Sequence, residues 1–135
     1  MNSKLITIST DGGSRGNPGQ AAYGFVVKVD GKTVKEGRGR LGIATNNFAE
    51  YTAVIKALEF TKDDFKGQDI HFYMDSNLVV SQLSGLWKIK NPQVRELVFK
   101  VRALESDFGQ ITYTHIPREK NKEADAQVNL ALDLD

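Results

Sequence analysis

The sequence predicts an α/β fold built on a mixed sheet, with a three-stranded antiparallel meander followed by a helical crossover into parallel pairing. Three observations predict it. Residues 4–41 contain three runs rich in β-branched and apolar residues, divided by glycine-bearing turns, and Asp30-Gly31 is a strong hairpin signal. Residues 45–62 change period, with Phe48, Tyr51, Val54, Ile55 and Leu58 at helical spacing. A short apolar strand then returns at 69–74, and a strand that follows a helix joins its sheet through a crossover, parallel to the first strand.

Each element has a local reason. Strand one covers residues 4–10 and ends on Asp11, where Gly12-Gly13-Ser14-Arg15-Gly16-Asn17-Pro18-Gly19 reads as a turn too glycine-rich to be covered by side chains. Strands two and three cover 21–29 and 32–41. The helix over 45–62 takes its cap from Thr45, Asn46 or Asn47, and places Glu50 in about its first turn, where the helix dipole favours an anion. Strand four ends on Asp75-Ser76-Asn77, and Val79, Val80 and Leu83 mark a short helix after it. Gly85 to Lys90 break that helix. Asn91-Pro92 then reads as the cap and first turn of another, whose stripe is Val94, Leu97, Val98, Val101 and Leu104. Residues 110–116 form strand five. Asn121 caps a last helix with Ala124, Val128, Ala131 and Leu132 facing inward and Asp125 in its first turn.

The totals bound what this fold does. The 135 residues suit one domain, 1–135, and 40% hydrophobic content suffices to close its core. The chain has no cysteine, which excludes disulfides and zinc–thiolate sites and fits a reducing, cytoplasmic setting. Neither a signal peptide nor a bilayer-length apolar run is visible, so no membrane association is expected. A net charge of +1 is weak evidence for a nucleic-acid partner, and binding would rest on local clustering or on metal ions that neutralise phosphate.

Four carboxylates share a description. Asp11 and Asp75 end neighbouring parallel strands, where ligand sites of α/β sheets lie, while Glu50 and Asp125 start helices. Three of them also have a plainer reading: Asp11-Gly12 is a turn dipeptide, Glu50 complements a helix dipole, and Asp75-Ser76-Asn77 is capping chemistry. Brought together, the acids repel one another unless cations sit among them. Hard divalent ions with oxygen ligands fit best, which points to two-metal phosphoryl chemistry.

The blocks Asp11 to Gly19, Thr45-Asn46-Asn47-Phe48-Ala49-Glu50, Asp75-Ser76-Asn77 and Asn121-Lys122-Glu123-Ala124-Asp125 resemble, in order, the four signature blocks of type 1 ribonuclease H. The resemblance covers nearly the whole chain. It implies a ribonuclease H-like fold, a five-stranded mixed sheet flanked by helices. It further implies endonucleolytic hydrolysis of the RNA strand of RNA–DNA hybrids with two Mg2+ or Mn2+ ions, leaving 5′-phosphate and 3′-hydroxyl ends. Asp11, Glu50, Asp75 and Asp125 would be both catalytic residues and metal ligands. Backbone near Gly12, with Asn17, would contact the RNA strand, and Ser76 would lie beside it. Asn46 and Asn47 would reach the minor groove, where an amide offers both a donor and an acceptor.

The sequence also departs from better-known members. Their loop histidine before the last aspartate is missing: His115 falls within strand five, and Arg118 is the more apt occupant of the loop, able to meet a phosphate. Residues 84–91 leave no room for a long basic protrusion, so Trp87, Lys88 and Lys90 are the nearest substitutes, with Arg15 and Lys122 adding charge. The chain therefore resembles a compact, histidine-lacking branch, expected to act as a monomer without a protein partner. A catalytically weak or inactive nucleic-acid-binding module on the same fold is the alternative, and a nuclease for branched DNA is a third reading.

Overall fold

The computed structural model describes residues 4–134. Strands β1 (Ile6–Gly16), β2 (Gly19–Val29) and β3 (Lys32–Ala44) form the antiparallel meander, and α1 (Asn46–Thr61) crosses over to β4 (Ile70–Met74). Helices α2 (Asn77–Leu83) and α3 (Pro92–Glu105) lead to β5 (Ile111–His115), and a short 3-10 turn at Arg118–Lys120 precedes α4 (Lys122–Asp133). The five strands lie in the order β3-β2-β1-β4-β5, with β1, β4 and β5 mutually parallel. No helix among the described residues is long and apolar enough to cross a membrane.

Strand alternation divides the core between two faces. Ile6 and Ile8 of β1, Phe25 and Val27 of β2, and Phe72 and Met74 of β4 pack with α1, α2 and α3. Ala22 of β2 faces the other way, onto Val128, Ala131 and Leu132 of α4. Tyr51, Phe25 and Phe72 are the largest fully buried side chains. All four apolar residues expected on the inner face of α4 are buried.

Three local expectations are corrected. Strand one does not end at Asp11: β1 runs on to Gly16, and Asp11 to Gly16 pair with Gly24 to Gly19 of β2. Gly12 and Gly13, which read as part of a turn, are strand glycines, and Gly12, like Gly24 opposite on β2, is kept small because a helix backbone lies on it. A Cβ at Gly12 would stand 2.2 Å from the carbonyl carbon of Ala49 in α1, and one at Gly24 would stand 2.8 Å from the carbonyl oxygen of Ala124 in α4. The backbone of Gly12 is thus buried under α1.

Glu50 is not in the first turn of its helix. Thr45 is the cap, its Oγ1 accepting the Phe48 N–H at 3.2 Å, and the first turn of α1 holds no acid. Glu50 lies a turn further on, buried, so it does not serve as a surface complement to the dipole. Asn121 does not cap α4 with its side chain, which turns into the sheet instead.

Candidate active site

The parallel register builds the site. Thr7, Ile8 and Ser9 of β1 pair with His71, Phe72 and Tyr73 of β4. Carried two residues further, this register sets Asp11 beside Asp75 where the two strands diverge. Glu50 arrives from α1 because Gly12 lets that helix sit against β1. Asp125 arrives from α4 because Gly24, the β2 partner of Asp11, leaves room for the helix backbone.

One carboxylate oxygen from each of Asp11, Glu50 and Asp75 lies within 4.8 Å of the others. Asp125 stands outside that tight group but lines the same cleft, near enough for its charge to act on Asp11. Asp11 Oδ1 accepts the Gly12 N–H at 2.9 Å, which fixes its carboxylate plane. Asn121, buried between β1 and β4, donates from Nδ2 to the Thr10 carbonyl at 2.9 Å and to Asp75 Oδ2 at 3.4 Å. Its own carbonyl accepts the Asp125 N–H, so a single residue ties two of the acids together.

Electrostatics follow from this crowding. Burial, then the charges of Asp75 and Asp125, push the Asp11 carboxyl up to about 7. Burial and the charges of Asp11 and Asp75 raise Glu50 well above the usual carboxylate range. Glu50 Oε2 is buried with no hydrogen-bond partner among the described residues. A buried acceptor without a donor, amid repelling carboxylates, is the environment a cation relieves. The donor set is all oxygen, which suits Mg2+ or Mn2+ and not soft metals.

The other candidates divide. Gly12, Asn46, Asn47, Ser76 and Arg118 line the carboxylate cleft. Ser76 caps α2 through its Oγ, 3.3 Å from the Val79 nitrogen. Arg118 is exposed, with its guanidinium 4.0 Å from Asp125. Asn17 and Asn47 face an adjoining groove with Thr45, Phe48, Asn91 and Gln93. The cleft does not include Trp87, Lys88 or Lys90, which lie on the exposed segment between α2 and α3. Nor does it include His115, exposed at the end of β5 and paired with Met74. Asn46 differs from the expectation of a free donor and acceptor, because its Oδ1 already accepts the Ser14 N–H at 2.8 Å. Sequence reasoning passed over Ser14 and Asn121 in these holding roles. Their contacts span 32 and 111 residues, and only the four-residue spacing of Asn121 and Asp125 hinted at the second.

A family model described as reverse transcriptase-like matches residues 9–131. The chain is 48% identical over 124 residues to Ribonuclease HI of Halobacterium salinarum, covering 91% of this chain and 62% of that protein. It is 34% identical over 142 residues to Ribonuclease H of Ruthia magnifica subsp. Calyptogena magnifica, covering 95% of each. Among solved structures, LC11-RNase H1 in complex with an RNA/DNA hybrid superposes with a TM-score of 0.90 at 41% identity, covering 95% of this chain and 96% of that one. The fold and its acidic cleft therefore define a ribonuclease H-like domain. Within that class, the chain belongs to the type 1 ribonuclease H family. Of several curated relatives at 45–48% identity, it spans only 35–62% of the length.

Proposed function

We propose that this protein hydrolyses the RNA strand of RNA–DNA hybrids, cutting internally to leave 5′-phosphate and 3′-hydroxyl ends. The observation that carries the reading is the meeting of buried Asp11 and Glu50 with half-buried Asp75 beside β1 and the carboxyl end of β4, with Asp125 on the same cleft. The hybrid bound by LC11-RNase H1, on a fold that superposes so closely, supports the substrate class. The intact set of four acids speaks against an inactive binding module, which has no chemical need to hold them together at an electrostatic cost.

Asp11, Glu50, Asp75 and Asp125 would hold two Mg2+ or Mn2+ ions. Such ions, when bound, lower the pKa of a water and stabilise charge on the attacking and leaving oxygens of an in-line displacement. The chain's own part is preorganisation. Gly12 N–H orients Asp11, and Asn121 orients Asp75. Packing of α1 against β1 buries Glu50 and limits its access to water. Arg118 at the cleft edge would draw in a phosphate, and Asn46 and Asn47 would meet the duplex beside it. The lack of cysteine supports action in the cytoplasm.

Side-by-side digestion of a labelled RNA–DNA hybrid, double-stranded RNA and branched DNA in Mg2+ and in Mn2+ tests the reading. Cleavage of the hybrid's RNA strand, with products that a 5′-phosphate-dependent exonuclease degrades, is expected. Equal or faster cutting of branched DNA would overturn it.

A further inference from the structure

Two tyrosines outside the carboxylate cleft belong to a polar network that the proposed reaction does not use. Tyr51 follows Glu50 on α1, is fully buried, and donates from its hydroxyl to Gln82 Oε1 at 2.5 Å. Burial pushes the Tyr51 phenol up to about 12, so it stays protonated and remains a donor at neutral pH. Gln82 lies near the end of α2, the seven-residue helix that follows Asp75 directly, with Ser76 as its cap. That end is held a second time. Arg102 of α3 donates from Nη2 to the Leu83 carbonyl at 2.6 Å, satisfying one of the acceptors that a helix C-terminus leaves open. Its Nη1 meets both oxygens of Glu105, at 3.1 and 2.9 Å, and Glu105 accepts the Tyr113 hydroxyl at 2.7 Å. Tyr113 in turn stacks on Phe72 of β4, the strand that runs into Asp75.

These contacts close a ring across the site. The chain joins Glu50 to Tyr51 and, through α2 and its cap, joins Gln82 to Asp75, and the Tyr51–Gln82 hydrogen bond links the two halves. Carboxylate oxygens of Glu50 and Asp75 lie within 4.8 Å of each other and repel when both are charged. To move apart they must part α1 from α2, which the hydrogen bond opposes. Resting on the reading of the acids as a divalent-metal site, we infer that Tyr51 and Gln82 are positioning residues: their hydrogen bond fixes the spacing of Glu50 and Asp75, and Arg102 steadies the end of α2 against which it acts. The pair acts through the two acids it spaces. Loss of one neutral hydrogen bond should weaken a cation held between those acids about threefold or more.

Tyr51→Phe removes the hydroxyl and keeps the ring, and Gln82→Met removes the acceptor and keeps the length. Thr61→Val is the control, because it deletes a buried hydroxyl that donates to the Ala57 carbonyl at the other end of α1. With circular dichroism confirming the fold, Mn2+ titrated by calorimetry should bind Tyr51→Phe and Gln82→Met about threefold or more weakly than wild type. The double variant should bind no more weakly than either single one, and Thr61→Val should bind as wild type does. Unchanged affinity in Tyr51→Phe, or an equal loss in Thr61→Val, would overturn the inference and leave the metal reading standing. Urea denaturation at pH 8 in a chelator needs no metal. Where both acids are present, parting the helices relieves their repulsion, so Tyr51→Phe should lower the urea midpoint less in wild type than in an Asp75→Asn background, while Thr61→Val should lower it equally in both. If wild type binds no Mn2+, the metal reading fails and this cycle decides alone, with equal losses for Tyr51→Phe in the two backgrounds overturning the inference.

Discussion

Asp11 and Glu50 are the acids with least access to water, and pH acts on them first. Their folded pKa values lie above the unfolded ones, with Asp11 at about 7 against 3.8. Between those limits the folded protein binds more protons than the unfolded chain, so this contribution to stability falls as pH rises through the window, and the share of Asp11 in the cost is complete above about 7. In a chelator, Asp11→Asn should flatten the dependence of melting temperature on pH between 5 and 8 relative to wild type, and Mn2+ should raise the wild-type melting temperature more at pH 8 than at pH 5. Parallel curves for the two proteins would show that the pocket does not strain the fold. Asn121 gives a second test at this scale. Asn121→Ala leaves the buried Thr10 carbonyl without its donor and frees Asp75, and urea denaturation should report a loss of about 1–3 kcal/mol, with weaker Mn2+ binding by calorimetry. The role of Asn121 was not legible because an asparagine before a helix reads equally well as a cap. What decides between the two is a contact 111 residues away.

Helix placement depends on glycines that look interchangeable in the sequence and are not. A Cβ at Gly12 would collide with the backbone of α1 at 2.2 Å, whereas one at Gly13 would meet Val128 Cγ1 at an ordinary 3.7 Å. Gly12→Ala should therefore destabilise by about 3 kcal/mol or more, and Gly13→Ala by less than about 1 kcal/mol, in the same denaturation assay. Gly24→Ala should act through α4, where Gln127 Cβ stands 2.6 Å and the Ala124 carbonyl 2.8 Å from the added carbon. Gly12→Ala and Gly24→Ala each shift a helix that carries an acid, so Mn2+ affinity should fall along with stability. Glycine density signals a turn when only neighbours in sequence are considered. In this run only Gly12 answers to a packed helix, while Gly16, at a positive φ, and Gly19, against the Arg15 carbonyl, serve the turn, which begins only after β1 has run five residues beyond Asp11.

Across the whole molecule, the topology was the most legible layer. Period changes, the Asp30-Gly31 hairpin and the crossover rule are local signals with a single consistent solution, and the observed order β3-β2-β1-β4-β5 obeys them. The convergence of acids from β1, α1, β4 and α4 was foreseeable only as a consequence of that order. Its fine structure, with Ser14 turning Asn46 and Asn121 bracing Asp75, depends on side-chain contacts between distant segments that no periodicity encodes. The formal charge of +1 gives the molecule little general attraction for a duplex, so ions held by the four acids would carry much of the neutralisation of phosphate under the proposed function. The most direct measurement is the rate at which folded Asp11→Asn protein cuts an RNA–DNA hybrid in Mg2+. A fall of about a thousandfold or more, with the fold retained, is expected if the four acids work as one centre. Cleavage at the wild-type rate by the folded variant would contradict it.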